Sequence, residues 1–214
     1  MPKPTAVIVD GATVIRTAFP GLLPRLDVCG AFQTADALLE AHLPADVVVL
    51  ELPWPVQLRA GMAALRDLVA ARYTVCVYSQ EDRPFVHAAC LASGAAGVVS
   101  KSAPLPLAQA AFVEVAGGGS EFPAELLVRL QRLSERGGLG VLSPRERQIL
   151  AARAHGLPLP AIAALLGEPE AGAVEECRAT GRVLREFLSC ASQEMVSRLL
   201  ALDPEDLADI WPTR

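Results

Sequence analysis

The first 116 residues alternate between short apolar runs and longer Ala- and Leu-rich stretches. The runs are rich in β-branched residues and have the length of buried strands, which predicts strands at residues 5–10, 26–32, 46–50, 74–79 and 96–100. The stretches that follow them predict helices at residues 12–23, 34–43, 56–71, 84–93 and 105–116. This alternation is typical of a parallel sheet with helices on both faces, joined by right-handed crossovers.

Polar residues follow the ends of the predicted strands. They are Asp10, Glu51, Ser79 and Lys101. Ligands of parallel sheets bind at the carboxyl ends of the strands, so these side chains form a candidate site. Lys101 is notable because the chain has 17 arginines and only two lysines. A lysine in such a chain indicates a need for its compact, mobile ammonium group.

The remaining residues have a helical pattern. The glycines at 117–119 end the fifth helix, residues 122–135 carry an apolar helical stripe, and the glycine-rich residues 136–140 predict a flexible joint. We therefore predict a sheet domain at residues 1–118, a linker helix and joint at 119–140, a helical domain at 141–190 and a helical extension at 191–214.

The predicted helical domain has the pattern of a helix-turn-helix. Ser143-Pro144-Arg145-Glu146 is a capping box with proline at the first helical position, and its helix extends to His155. A short helix at 160–166 ends at Gly167, and a longer one extends from about residue 169 to 187. A fourth helix at 192–202 and a last short one ending at Trp211 are expected to follow.

Composition excludes several classes of function. The net charge of −5 argues against nucleic-acid binding through bulk positive charge. No apolar run reaches the length of a membrane span and the start lacks a signal-peptide pattern, so we expect a cytoplasmic protein without a membrane partner. The cysteines and histidines lack ligand spacing and no catalytic constellation is present. We expect no metal site, no cofactor and no enzymatic activity.

Several motifs resemble the response regulators of the NarL/FixJ (LuxR-type) class. Val7-Ile8-Val9-Asp10 and Gly94-Ala95-Ala96-Gly97-Val98-Val99-Ser100-Lys101 are similar to the first and last strands of a receiver domain. Leu142-Ser143-Pro144-Arg145-Glu146-Arg147-Gln148-Ile149-Leu150, with Gly156 and the run that ends at Gly167, is similar to the DNA-binding domain. The resemblance covers nearly the whole chain. It implies a receiver-like α/β domain with a doubly wound, flavodoxin-like parallel sheet of five strands, followed by an all-α helix-turn-helix domain.

The resemblance also shows where this chain departs from the family. A receiver phosphorylates an aspartate after strand three, with Mg²⁺ held by that aspartate and an acidic pair after strand one. This chain has Glu51 in place of the aspartate, which moves that carboxylate outward by a methylene. It has Asp10-Gly11 in place of the acidic pair, so one carboxylate of the pair is missing. Ser79 matches the switch hydroxyl and Lys101 the phosphate-pairing lysine. Two interpretations remain open: a Glu51–Lys101 pair, helped by the Ser79 hydroxyl, fixes an on-like conformation, or the pair is a relic that anchors strand three to strand five.

The predicted recognition helix is unusually acidic. Residues 168–176 include Glu168, Glu170, Glu175 and Glu176, which repel phosphates. In residues 142–187, six arginines balance six glutamates. The candidate DNA contacts are Arg145, Arg147, Arg178, Arg182 and Arg185, and the alternative for the later arginines is a solvated helix face.

The sequence is consistent with two hypotheses for the function. The first is an atypical, phosphorylation-independent transcription regulator that binds DNA as a dimer, either with itself or with a related regulator. Its receiver would be a dimerisation or partner platform, and in one variant its pocket binds an unidentified small molecule. The second is a protein-interaction module that has lost direct DNA binding and modulates a partner regulator. The apolar tail, including Met195, Leu199 and Trp211, would then cover an interface or pack on its own domain.

Overall fold

The computed structural model describes residues 2–53 and 57–212. The strands are β1 (Thr5–Val9), β2 (Asp27–Phe32), β3 (Val47–Leu50), β4 (Val75–Ser79) and β5 (Gly97–Ser100). The helices of the first half are α1 (Thr13–Leu22), α2 (Ala35–Ala41), α3 (Leu58–Ala70), α4 (Pro84–Ala92) and α5 (Leu105–Ala116). The helices of the second half are α6 (Ala124–Glu135), α7 (Pro144–Ala154), α8 (Leu159–Leu166), α9 (Glu170–Cys190) and α10 (Gln193–Leu200). The predicted start of the third helix at Val56 lies outside the described residues.

The sheet has the order β2-β1-β3-β4-β5, and every neighbouring pair is parallel. Helices α1 and α5 share an apolar cluster with one face of the sheet, and α2, α3 and α4 share one with the other face. All four residues of β3 are buried, as expected for a central strand covered on both sides. The predicted doubly wound parallel sheet is confirmed.

The edge of β5 is covered by the segment after α5. The Val98 amide donates to the Glu121 carbonyl and the Glu121 amide donates to the Ala96 carbonyl, each at 3.1 Å. These bonds satisfy an exposed strand edge. They also fix the start of α6 against the sheet.

The helical domain, α7 to α9, follows the predicted pattern closely. The Ser143 hydroxyl accepts from the Glu146 amide, and the Glu146 carboxylate accepts from the Ser143 amide, which completes the capping box. Gly167 ends α8 in the left-handed conformation with φ of 66°, where a side chain would be strained. Helix α9 is longer than predicted and ends at Cys190 instead of residue 187.

The sheet domain and the helical domain share one apolar cluster. It extends from β3 and β4 through α4 to α6, α9 and α10. The buried stripe of α6 consists of Leu126, Leu127, Leu130 and Leu133. The glycine-rich segment predicted as a flexible joint contains the buried Leu139 and is followed by the buried Leu142. The segment between α6 and α7 is therefore packed against the core through these two leucines.

The C-terminal segment, residues 192–212, contains α10 and a single 3-10 turn at Ala208–Ile210. The short helix predicted to end at Trp211 is this turn, because the positive φ of Glu205 interrupts a regular helix before it. Among the residues that the structure describes, no helix is both long and apolar enough to cross a membrane.

Candidate functional site: the strand-end pocket and the face of helix α9

Lys101 lies between two carboxylates at the carboxyl ends of the strands. Its Nζ atom is 2.8 Å from Asp10 Oδ2 and 2.5 Å from Glu51 Oε1. The Asp10 side chain is 2% exposed, that of Lys101 12% and that of Glu51 24%. The three groups thus form a partly buried ion cluster, with charge-assisted bonds stronger than neutral ones.

The sheet topology brings these residues together. Asp10 follows β1 and Glu51 follows the adjacent β3, whereas Lys101 follows β5 two strands away. The lysine side chain spans β4, with Nζ 5.6 Å from the ring centroid of Tyr78. The Lys101 amide donates to the Ser79 carbonyl at 2.7 Å, which fixes the base of the side chain. The position of each residue just after a strand was the signal that predicted this cluster.

Ser79 does not join the cluster, and this part of the prediction was wrong. Its hydroxyl donates to the Leu52 carbonyl at 3.0 Å and accepts from the Glu81 amide at 3.1 Å. Ser79 is 1% exposed, and a buried hydroxyl needs hydrogen-bond partners within the protein. The two backbone groups supply an acceptor and a donor for it. Ser79 therefore fixes the β4–α4 loop and is not a partner of Glu51 or Lys101.

The pKa values of the two carboxylates are shifted in opposite directions. Burial raises the pKa of Asp10 above its ordinary value, although Lys101 and the Ala12 amide oppose this shift. Burial also acts to raise the pKa of Glu51, but hydrogen bonds from Lys101, Asp10 and the Gly11 amide outweigh it and lower that pKa. The pKa of Lys101 is raised because its two carboxylate partners outweigh burial. The more buried carboxylate, Asp10, therefore has a raised pKa, and the better hydrogen-bonded one, Glu51, has a lowered pKa.

Helix α9 packs on the sheet domain through its middle turns. Arg178 Nε donates to Glu114 Oε1 at 3.2 Å and Nη1 donates to Glu175 Oε1 at 2.9 Å. A Cβ atom at Gly181 would lie 2.9 Å from the Ser120 Cβ atom. Glycine at this position therefore allows α9 to approach the segment that covers β5. Arg178, predicted to contact DNA, faces the sheet domain in this conformation.

A second contact joins α7 to the same segment. Arg153 Nη2 donates to the Ser120 carbonyl at 3.2 Å and lies 3.6 Å from Glu121 Oε2. Burial raises the pKa of Glu121, and Arg153 opposes this shift. The helical domain is thus attached to the end of α5 and to the edge of β5 by two arginines from different helices.

The other candidate arginines have different environments. Arg145 is bound by two carboxylates, with Nη2 2.6 Å from Glu168 Oε1 and Nε 3.1 Å from Glu176 Oε1. Arg147 is exposed and donates to the Leu142 carbonyl at 2.7 Å. Arg182 is exposed and Arg185 is partly buried. Burial and the neighbouring charge of Arg182 lower the pKa of Arg185.

Three of the acidic residues that make the recognition helix unusual have partners within the chain. Glu168 and Glu176 bind Arg145 of α7, and Glu175 binds Arg178 one turn further along α9. Sequence reasoning missed these pairs because Arg145 is 23 and 31 residues away from its partners. The equal number of arginines and glutamates in this domain was the feature of the sequence that could have indicated ion pairs within it.

The comparisons with known proteins agree with this architecture. No protein-family model matches the sequence. The transcriptional regulatory protein UhpA of Salmonella typhimurium (strain LT2) is 30% identical over 169 residues, which cover 76% of this chain and 82% of UhpA. The chain belongs to the NarL/FixJ-type response regulators.

Solved structures support the fold of this response regulator over its full length. The RcsB–DNA complex superposes with a TM-score of 0.54 at 18% identity and covers 98% of both chains. A Salmonella typhimurium RcsB structure gives a TM-score of 0.52 at 21% identity, covering 89% of this chain and all of the other. At these identities the likeness concerns the fold alone.

The pocket of this response regulator does not fit the Mg²⁺ ion that the family uses. Mg²⁺ requires near-octahedral oxygen ligands and usually more than one carboxylate. Here Gly11 supplies no carboxylate, and both Asp10 and Glu51 are bound by the Lys101 ammonium group. The Gly11 amide also donates to Glu51 Oε2 at 3.0 Å. The residues of this pocket therefore do not present the set of free carboxylates that Mg²⁺ needs.

Proposed function

We propose that this response regulator acts in transcription without phosphorylation, with its pocket set permanently by the Lys101 cluster. The observation that carries the proposal is the position of Lys101 Nζ, within 2.8 Å of both Asp10 and Glu51. Glu51 places a carboxylate where the family attaches a phosphoryl group, and its lowered pKa keeps that carboxylate ionised. The Glu51 carboxylate is thus held by Lys101 and by the Gly11 amide, one methylene further from the backbone than an aspartate would place it, without phosphorylation.

A direct test is reaction of the purified protein with acetyl phosphate and Mg²⁺, followed by intact mass measurement. We expect no gain of a phosphoryl group. The matched variant is Gly11→Asp/Glu51→Asp, which restores the family's carboxylates. A Cβ at Gly11 would lie 3.6 Å from Glu51 Oε2, an ordinary contact, so the site accepts a side chain there. Phosphorylation of the unmodified chain at Glu51 would overturn the proposal.

For DNA binding, we infer that the helical domain docks by α9 in the major groove, as the helix-turn-helix architecture implies. UhpA is a transcriptional regulatory protein and RcsB has been solved with DNA, which supports this inference. Arg147 and Arg182 are exposed and available to phosphates, whereas Arg178 must leave Glu114 first. DNA binding thus requires the two domains to separate at α9.

We further propose that the four parts predicted from the sequence act as receiver, linker, DNA-binding domain and C-terminal extension. The receiver would serve as the dimerisation or partner platform, with a second copy or a related regulator as its partner. Three exposed apolar residues on α1 and α5 support this role: Val14, Leu22 and Leu107. The two helices cover the same face of the sheet, so these side chains belong to one side of the domain.

The alternative is a protein-interaction module without direct DNA binding. The ion pairs of Arg145 and Arg178 favour it, because arginines held by carboxylates contribute less to phosphate binding. To decide, the purified protein is incubated with fragmented genomic DNA from its source across a series of salt concentrations, and the retained fragments are sequenced.

Enriched sites with paired half-sites and a steep loss of binding with salt would support the regulator. Arg182→Ala should weaken retention on all sequences and reduce the salt slope by about 1. Arg132→Ala, an exposed arginine on α6, is the matched control and should leave retention unchanged. Absence of enrichment from a folded protein would reject direct binding and favour the interaction module.

A further inference from the structure

The C-terminal segment, residues 192–212, touches all three other parts of the chain. It contacts the receiver at α3 and α4, the linker helix α6, and the end of α9. We propose that this segment is a clasp that holds the DNA-binding domain against the receiver. The inference deepens the proposed function, because release of the clasp would free Arg178 of α9 from Glu114.

Trp211 is the centre of the clasp. Its side chain is 6% exposed, and its ring centroid lies 5.7 Å from that of Phe85 at the start of α4. The indole Nε1 donates to the carbonyl of Ala191, the residue that caps α9, at 3.1 Å. One side chain thus joins the receiver to the end of the recognition helix. A tryptophan side chain buries a large apolar surface and needs a partner for its indole N–H when it is buried, and both conditions are met here.

The rest of the segment adds apolar anchors. Five side chains are buried in the cluster that also contains α4 and α6: Val196, Leu200, Leu202, Leu207 and Ile210. Arg129 of α6 donates from Nη1 to the carbonyls of Leu200 and Ala201, both at 2.9 Å. These two acceptors lie at the end of α10, where carbonyl groups lack partners within the helix. The segment is therefore docked along its length and not only at Trp211.

Ion pairs set the register of the segment on the receiver. Arg59 of α3 pairs with Asp209, and Arg83 Nη1 lies 3.3 Å from Glu205 Oε2. The Arg59 and Asp209 side chains are more than half exposed, so their pair contributes little energy. Burial of the apolar side chains is the larger stabilising effect.

The clasp also meets the loop that leaves the strand-end pocket. Ser79 accepts from the Glu81 amide, and Glu81 binds Arg83 through two carboxylate contacts of 2.9 and 2.8 Å. Arg83 in turn reaches Glu205 of the segment. The β4–α4 loop therefore touches the pocket at one end and the clasp at the other.

Cysteine labelling tests the clasp without using DNA. Cys177 of α9 lines a cavity of about 380 Å³ between the two domains, together with Glu114 and Phe122. Cys90 is fully buried in α4 of the receiver and reports unfolding. The rate of iodoacetamide labelling is measured at each of the two cysteines by peptide mass spectrometry, in the full-length chain and in Trp211→Ala.

We expect Trp211→Ala to label Cys177 at least ten times faster, while Cys90 remains protected. Trp211→Phe keeps a ring against Phe85 and should give an intermediate rate. Met195→Ala changes an exposed residue of the same segment and should match the unmodified chain. Equal Cys177 rates in all four proteins would overturn the clasp. If Trp211→Ala also exposes Cys90, Leu207→Ala, which truncates another buried apolar anchor of the segment, replaces it, and an unchanged Cys177 rate in that protein rejects the clasp.

DNA retention of the same variants separates this inference from the proposed function. Faster Cys177 labelling with no DNA retention supports the clasp and rejects direct DNA binding. Faster labelling together with tighter retention supports both. Tighter retention at an unchanged labelling rate rejects the clasp alone.

Discussion

Replacement of Lys101 by methionine tests the ion cluster of the pocket most directly. Lys101→Met keeps most of the length of the side chain but leaves Asp10 and Glu51 without their cation. Two charge-assisted bonds are lost, each worth about 1.5–3 kcal/mol. Removal of one member of a buried pair costs about 3–5 kcal/mol. Because Glu51 is 24% exposed and can turn to water, we expect the lower end, a loss of about 3 kcal/mol in the free energy of unfolding.

The assay is urea unfolding at neutral pH, with Lys3→Met as the matched control. Lys3 is the only other lysine in the sequence and is exposed. The same comparison at about pH 5 should show a smaller loss, because unpaired carboxylates take up protons more readily. A loss below about 1 kcal/mol, or one equal to that of Lys3→Met, would refute the assignment of Lys101 as the residue that holds the pocket together.

The unmodified chain also makes a prediction at alkaline pH. The folded pKa of Lys101 is raised above its ordinary value of 10.5, so its contribution to stability is complete below pH 10.5 and is lost as the pH rises through the folded pKa. Lys101→Met lacks this contribution. The stability difference between the two proteins should therefore narrow above pH 10.5, and a constant difference would contradict the cause given for the shift.

Three further predictions concern the helical domain. Ser143→Ala removes the capping side chain and should cost about 1 kcal/mol in the free energy of unfolding, measured by urea denaturation, whereas an unchanged midpoint would contradict the capping box. Gly181→Val places a side chain against Ser120 and should separate α9 from the receiver, measured by Cys177 labelling with Cys90 as the internal control. Glu114→Gln weakens the hydrogen bond from Arg178 and should increase DNA retention; unchanged or reduced retention would show that the Glu114 contact does not compete with DNA.

Local patterns account for the features that the sequence predicted. Strand positions follow from β-branched runs, whereas the doubly wound arrangement of the sheet was implied by the family resemblance. In a parallel sheet the carboxyl ends of the strands lie at one edge, so the residues after β1, β3 and β5 meet there. The capping box of α7 depends on four consecutive residues. Each of these features is determined within a short stretch of chain or by a general rule of topology.

Features that depend on distant partners were not predicted. Arg178 meets Glu114 across 64 residues, and no local pattern indicates which carboxylate an arginine will bind. The Ser79 hydroxyl was assigned to Lys101 by resemblance, but the Leu52 carbonyl is the acceptor that it reaches. Gly181 lies inside α9, where glycine lowers helix stability, and no local pattern in the sequence gives a reason for it. Its reason is the close approach of Ser120 from the segment that covers β5.

The balance between apolar and polar contacts determines how the two domains can separate. The ion pairs that join them, Arg178–Glu114 and Arg153–Glu121, lie at 3.2 and 3.6 Å in partly exposed positions, where each contributes about 0–1 kcal/mol. Salt would weaken these pairs, but it would weaken phosphate contacts more steeply, since each phosphate contact releases a counterion. The close packing at Gly181 and the burial of Trp211 do not depend on salt in this way. Separation of α9 from the receiver is therefore limited by apolar packing, and ionic strength alone should not open this protein.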